Sequence, residues 1–327
     1  MGDGERGAAQ DGLVVVDKPA GWTSHDVVAR VRRLARTRRV GHAGTLDPMA
    51  TGVLVIGVGK ATRLLGHLAL TEKSYAATIR LGQTTNTDDA EGETTATAGA
   101  AGVTDDAIRR GVADLTGTIE QVPPQVSAIK VNGERAYKKA RAGENVTLKP
   151  RPVTIHAFTI TSIHRPGNPS RPAGSPGSAA DPAVASAVVE TVAAAGVSFV
   201  DVDAEVVCSS GTYIRGLARD LGAALGSGGH LTALRRTRVG PYDLSMARTL
   251  DDLAMSLDVV PLADAVAAAF PRRDVTADQA RAVAHGGRLT PTGQGPGPIA
   301  VFAPDGTFLA LVEERSGTAQ PIAVFAP

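Results

Sequence analysis

Apolar positions along the chain recur with two periods, and together they predict short strands alternating with short helices. Leu13–Val16 is a continuous apolar run of strand length that enters the turn Asp17-Lys18-Pro19-Ala20-Gly21. Thr23 and Asp26 then stand at capping-box spacing, and Val27, Val28, Val31 and Leu34 recur at helical spacing, so a helix is expected to about Arg36. A Gly-rich loop over 41–52 leads into a strand over 53–57 and a short helix over 60–69. Tyr75, Ala77, Ile79 and Leu81 alternate with polar residues, as in a half-buried strand.

The same two periods continue downstream. Thr104 is placed to cap a helix over 105–115, and Val122-Pro123-Pro124 is a kinked extended segment before a strand over 125–131. A basic helix is expected over 134–142, strands over 153–163 and 199–208, a helix over 214–225, and a further strand within 231–242. Helical patterns occupy 249–269 and 276–285. After a Gly/Pro linker, three apolar runs at 299–302, 308–312 and 322–325 look like a small β module. This αβαβ order with antiparallel neighbours argues for an α+β fold, not a doubly wound sheet. The expected organisation is a disordered tail over 1–11, one domain over 12–248, and a helical linker with the β module over 249–327.

Composition narrows the function classes. Hydrophobic residues make up 43% of the 327 residues, enough for a real core, and the formal net charge is only +1. The total charge therefore says nothing about an anionic partner; only its distribution can. A single Cys excludes a disulfide framework and any Cys-based metal cluster within one chain. The polar start lacks an apolar signal region, and no apolar run is long enough to span a bilayer, so a cytoplasmic protein without membrane contact is expected.

Common catalytic motifs fail. Gly57-Val58-Gly59-Lys60 lacks the earlier Gly of a phosphate loop, since Leu54 stands there, and Ala61 follows the lysine where Ser or Thr is needed. The dinucleotide pattern fails because Thr62 replaces a Gly, the histidines have no zinc-protease spacing, and there is no nucleophile elbow.

Charge segregation is more informative. Between Val27 and Thr71 the one acid is Asp47, set among Arg30, Arg32, Arg33, Arg36, Arg38, Arg39, Lys60 and Arg63. Such a field attracts phosphates, and it favours the ionised form of a carboxylate inside it. That suits a nucleophile or a base and does not suit a general acid. A turn Asp before Pro explains the same residue more plainly. Two further basic clusters follow: one over 130–151, with Lys130 and Arg141, and one at Arg235-Arg236-Thr237-Arg238. Cys208-Ser-Ser-Gly-Thr-Tyr213-Ile-Arg215 passes from a strand into a helix through small residues that let another chain approach closely.

These segments carry a family resemblance. Gly12-Leu-Val-Val-Val-Asp-Lys18-Pro-Ala-Gly-Trp-Thr-Ser24, Arg39-Val-Gly-His42-Ala-Gly-Thr-Leu-Asp47-Pro-Met-Ala-Thr-Gly52, Lys73-Ser-Tyr75, Pro123-Pro-Gln-Val-Ser-Ala-Ile-Lys130 and Gly211-Thr-Tyr213-Ile-Arg215 resemble the TruB-type tRNA pseudouridine synthases over about residues 12–240. Ala43, Met49 and the segment 165–198 depart from the commonest pattern. The end of the chain is similar, more weakly, to the PUA-like RNA-binding module of that family.

The resemblance implies a pseudouridine synthase fold, a largely antiparallel mixed sheet flanked by helices. It implies isomerisation of uridine-55 in the TΨC loop of tRNA, by breaking the N1–C1′ bond and making C5–C1′, without metal or cofactor. The base must leave its stack to react. Asp47 would be the essential carboxylate, as nucleophile at C1′ or as base on a sugar proton. Arg215 would pair with Asp47, Tyr75 would stack on the flipped base, and Tyr213 would line the pocket. His42 would wedge into the vacated space, Lys18 would support the pocket and Leu234 would form part of its wall. Arg38, Arg39, Lys130, Arg141, Arg235 and Arg236 would meet the RNA backbone.

Two other readings compete. A noncatalytic RNA binder would use the same cations, but a carboxylate among them would only repel its ligand. A guide-RNA-dependent synthase would usually carry a longer C-terminal RNA module than 286–327. A monomer acting on tRNA without a guide RNA is therefore expected.

Residues 165–198 hold five prolines, no aromatic residue and much Ala, Gly and Ser, the composition of a poorly ordered insertion. Deleting 168–195 is expected to leave expression, solubility and thermal unfolding largely unchanged, because loop length alters closure entropy only slowly. Loss of soluble protein on deletion would show that the segment packs.

Overall fold

The computed structural model describes residues 10–125, 130–131, 134–135, 148–165, 198–295 and 297–326. They form two compact units: Met1–Pro48 with Gly52–Thr71 and Arg238–Pro327, and Met49–Thr51 with Glu72–Thr237. The boundary expected at 248/249 falls inside the first unit.

In the first unit, β1 (Gly12–Lys18) enters α1 (Ser24–Leu34), followed by β2 (Val40–His42) and β3 (Thr51–Val58). The expected capping box starts α1: Thr23 accepts from the Asp26 N–H while Asp26 accepts from the Thr23 N–H. β1 pairs antiparallel with β3 from Gly12↔Val58 to Lys18↔Gly52, and β2 also pairs with β3. The short helix expected over 60–69 is a 3-10 turn, Gly59–Leu64, that becomes α2 (Leu65–Ala69). Asp11, assigned to a disordered tail, is ordered: its carboxylate accepts from the Lys60 N–H at 2.7 Å. The rest of that assignment, 1–9, lies outside the described residues.

The second unit opens with β4 (Lys73–Leu81) and a hairpin of β5 (Gln83–Thr85) and β6 (Thr94–Thr97). Then come α3 (Asp105–Asp114), capped by Thr104 as expected, and β7 (Gly117–Gln121). The basic helix expected over 134–142 is wrong at its start. Lys130–Val131 (β8) and Glu134–Arg135 (β9) pair as antiparallel strands, and the sequence between them is Asn-Gly, the strongest short hairpin signal. The remainder of that helix, and the insertion over 166–197, lie outside the described residues.

Next are β10 (Arg151–His164), β11 (Val200–Cys208), α4 (Ile214–Ala224) and β12 (Gly229–Val239). The strand order in this unit is β12-β4-β11-β10-β7. β4 and β11 run antiparallel from Lys73↔Cys208 to Leu81↔Val200. Tyr75, Ala77, Ile79 and Leu81 are buried, as their period-2 spacing requires, and α4 packs on β4 and α3 on β10. The alternate residues of β4 pair across β11: Arg80 grips Asp201 with two bonds of 2.8 Å, and Thr78 donates to Asp203 at 2.6 Å.

The chain then returns to the first unit through β13 (Tyr242–Asp243), α5 (Leu250–Met255), β14 (Val260–Pro261) and α6 (Leu262–Ala269). The helical stretch expected over 249–269 is thus two helices, divided by a strand that pairs with β1 and ends at Pro261. A final sheet has the order β15 (Arg272–Asp274), β16 (Ile299–Phe302), β17 (Phe308–Arg315), β18 (Thr318–Val324), beside α7 (Ala277–Ala284). β16 explains how the chain ends become one unit. Its Ala300 and Phe302 join Leu13, Val55, Leu64 and Phe325 in one core, while Ile299 and Val301 join Val283 and Val312 in another. The fold class is α+β, as the sequence predicts.

Gly222 on α4 shows how closely the helix meets the turn into β12. A Cβ there would lie 2.2 Å from the backbone of Gly228 and Gly229. Gly222→Ala is expected to lower stability by about 1–3 kcal/mol, the usual cost of overpacking. Denaturant unfolding of the variant measures it, and a midpoint at the wild-type value would contradict the packing described.

Candidate active site

Asp47 sits in the loop between β2 and β3, and the corner between β1 and α1 holds that loop on both sides of it. On one side, the buried Ser24 hydroxyl accepts from the Leu46 N–H at 2.9 Å and donates to the Leu46 carbonyl at 3.1 Å. On the other, Lys18 Nζ donates to the carbonyls of Pro19 (2.9 Å), Trp22 (2.6 Å) and Pro48 (3.0 Å). The Gly21 N–H adds a second bond to the Pro48 carbonyl at 2.9 Å. Lys18 is fully buried, so three carbonyl dipoles replace the hydration its ammonium has lost. Residues 46 and 48 are therefore fixed, and the half-buried Asp47 between them has little backbone freedom. At Gly44 the loop takes φ 86°, a conformation that glycine adopts without strain.

His42 ends β2, and its ring meets that of His25 edge-on at 5.7 Å. Arg38 and Arg39 are exposed on the segment between α1 and β2.

Tyr75, Tyr213, Arg215 and Leu234 all belong to the second unit. Tyr75 and Leu234 are largely buried on the neighbouring strands β4 and β12. Tyr213 is the residue that caps α4, and the buried Gln121 amide holds its backbone twice. Gln121 Nε2 donates to the Tyr213 carbonyl at 3.0 Å and Oε1 accepts from its N–H at 2.9 Å. Arg215, in the first turn of α4, has its guanidinium 5% exposed. Nη1 donates to the Thr87 carbonyl at 2.8 Å, and Nε lies 3.5 Å from Asp89 Oδ2. Asp89 is itself fixed by the Thr87 hydroxyl at 2.6 Å and the Glu91 N–H at 3.1 Å. Next to it, Asp88 meets Arg219, and burial pushes the Asp88 carboxyl up against the pull of Arg219 and Arg215.

The sequence reading missed Ser24 as a clamp, Gln121, and the loop Thr87–Glu91. Thr-Asn-Thr-Asp-Asp reads as a solvated turn, and nothing local marks Asp89 as the partner of an arginine 126 positions later. The capping position of Tyr213, between the end of a strand and a helix, was the available hint.

The basic clusters divide. Arg235 is half-buried and reaches Thr51 Oγ1 at 3.3 Å. Arg236 is 1% exposed, so its assignment to the RNA backbone is corrected: an enclosed guanidinium cannot track phosphates. It lies near Lys73, and burial together with the Arg236 charge pulls the Lys73 ammonium down to about 8. The side chain of Lys130 and the whole of Arg141 lie outside the described residues.

Solved structures with this architecture include an H/ACA ribonucleoprotein bound to a substrate RNA containing 2′-deoxyuridine. It matches 98% of this chain and 86% of its own, at TM-score 0.66 and 23% identity, a likeness of fold alone. A Cbf5-Nop10-Gar1 complex matches 98% and 85%, at TM-score 0.65 and 25% identity. The N-terminal domain of the TruB family pseudouridylate synthases matches residues 32–172. Two C-terminal domains follow: tRNA pseudouridylate synthase B at 215–262 and tRNA pseudouridine synthase II at 270–326. The tRNA pseudouridine synthase B of Thermobifida fusca is 62% identical over 97% of this chain and 99% of its own length. That of Streptomyces griseus is 56% identical over 98% and 99%. The chain belongs to the TruB family of pseudouridine synthases.

Lys73 gives a pH prediction. Between about pH 8 and the ordinary lysine value of 10.5, the unfolded chain keeps a proton on residue 73 that the folded protein has lost. Stability from this residue therefore rises with pH across that window. The Cys208 thiol, pushed up to about 11 from 9.0 by burial, acts in the opposite sense. The difference between wild type and Lys73→Met reports on residue 73 together with the smaller effect of its charge on Cys208. Denaturant unfolding from pH 7 to 10.5 is expected to show the variant's advantage shrinking as pH rises. A constant difference would contradict it.

Proposed function

We propose that this protein isomerises uridine-55 of the TΨC loop of tRNA to pseudouridine. The observation that carries the reading is the double clamp on the loop bearing Asp47: a carboxylate on a fixed backbone, in a stretch of sequence otherwise rich in cations. The name tRNA pseudouridine synthase B, borne by full-length relatives at 62% and 56% identity, supports the substrate.

In this reading the uridine flips out of its stack and its uracil lies against Tyr75, with Tyr213 and Leu234 as walls and His42 filling the space it leaves. Arg215 pairs with Asp47, its orientation already set by Thr87 and Asp89. Asp47 acts on the ribose, by attack at C1′ or by removing a sugar proton. The N1–C1′ bond breaks, the uracil turns, and C5 bonds to C1′; the proton leaving C5 balances the one gained at N1. The reaction is an isomerisation with no net change of oxidation state, so it consumes no oxidant, reductant or second substrate. Lys18 acts through the loop, not on the substrate. Arg38, Arg39 and Arg235, with Lys130 and Arg141, meet the phosphates, and a monomer acts without a guide RNA.

Asp47→Asn tests the assignment. The variant is expected to bind an unmodified tRNA transcript with wild-type affinity and to form no pseudouridine on chemical mapping. Wild type should modify position 55 and spare a transcript with cytidine there. Product formation by Asp47→Asn at the wild-type rate would remove the catalytic role.

A further inference from the structure

Trp22 is the one tryptophan of the chain, and it is 37% exposed, unusual for a side chain with so much apolar surface. Its backbone is not free to move. The Trp22 carbonyl accepts from Lys18 Nζ at 2.6 Å, the preceding Gly21 N–H donates to Pro48, and Thr23 opens the capping box of α1. The indole therefore stands on a fixed turn. Beside it lies a cleft of about 340 Å³ lined by Gly21, Trp22, Asp26, Ala29 and Arg33. That is within the usual range of roughly 300–1,000 Å³ for small-ligand sites. Gly21 and Ala29 are small and leave room for a flat ring over the indole.

The polar groups of the cleft suit one class of ligand. The Asp26 carboxylate accepts from the N–H and hydroxyl of Thr23 at 2.9 and 2.6 Å, and these bonds hold it below the usual carboxylate range. It stays ionised and can accept from the N–H edge of a base. Arg33 brings a guanidinium to the other side, and exposed Arg32, Arg36, Arg38 and Arg39 continue the positive charge. A flat aromatic surface with an acceptor, beside a run of cations, is the pattern of a single-stranded nucleic-acid subsite. An apolar protein partner would not be matched by this charge.

We infer that the Trp22 cleft binds an unpaired nucleobase of the RNA substrate, stacked on the indole, with Arg33 on the adjoining phosphate. This subsite is additional to the uridine pocket, to which Tyr75 was assigned, and it rests on the reading that the substrate is tRNA.

Because Trp22 is the sole tryptophan, fluorescence excited beyond the absorption edge of tyrosine reports on this cleft alone. Asp47→Asn protein titrated with tRNA is expected to show quenched emission and reduced access of acrylamide to the indole. Trp22→Ala should weaken tRNA binding about tenfold, in keeping with one lost stacking contact. Trp22→Phe should stay within about threefold of wild type. Arg33→Ala should reduce the slope of log affinity against log salt by about one contact. Unaltered emission and acrylamide access at saturating tRNA, or wild-type affinity of Trp22→Ala, would overturn the inference. Wild-type protein that forms pseudouridine while Trp22 stays unmoved would overturn the subsite and leave the proposed activity standing. Quenching by tRNA without any pseudouridine formed would uphold the subsite and overturn the activity.

Discussion

A buried ammonium shared among three carbonyl oxygens fixes the position of Asp47. Lys18 leaves water at the end of β1, and the carbonyl oxygens of Pro19, Trp22 and Pro48 take the place of hydration around its charge. Two of these carbonyls belong to the turn that launches α1, and the third belongs to the loop carrying Asp47. One side chain therefore fastens the end of β1, the turn before α1 and the loop before β3 to one point. Ser24 completes the arrangement from the first residue of α1, satisfying both backbone groups of Leu46.

The second unit solves a related problem with different groups. Tyr213 and Arg215 stand at the start of α4, where backbone N–H groups lack helical partners. Gln121 supplies both an acceptor and a donor to Tyr213, and Asp89 with Thr87 holds the Arg215 guanidinium. In both units a side chain expected to meet substrate is held in place by a buried polar group contributed from a distant part of the chain. Fixing such groups before substrate arrives removes part of the cost of ordering them during reaction.

What could be read from the sequence follows the range of the interactions. The strand before Lys18, the capping box of α1 and the alternation of β4 are local patterns, and the structure has them. Asp47 stood out because its charge opposes that of every ionised neighbour over a long stretch. The clamps did not stand out, since they join residues far apart: Ser24 to Leu46, Gln121 to Tyr213, and Asp89 to Arg215. The error at Arg236 has the same origin. A run of arginines looks uniformly exposed in a sequence, but on a strand alternate side chains face opposite sides, and Arg236 points inward where Arg235 does not. At 134–135 the basic residues suggested a helix, while the Asn-Gly pair before them was the better guide.

The most direct test of the clamp is a double-mutant cycle on its two halves. Lys18→Met keeps the length of the side chain and removes the ammonium; Ser24→Ala removes the hydroxyl and leaves the helix start otherwise intact. Each purified variant, and the double variant, would be compared with wild type for single-turnover pseudouridine formation and for tRNA affinity, with thermal unfolding to establish that it is folded. If the clamp positions Asp47, each single change lowers the rate by about tenfold or more while affinity stays within about twofold. The double change then costs less than the two combined, because both act on one loop. Folded Lys18→Met and Ser24→Ala proteins that turn over at the wild-type rate would contradict the account.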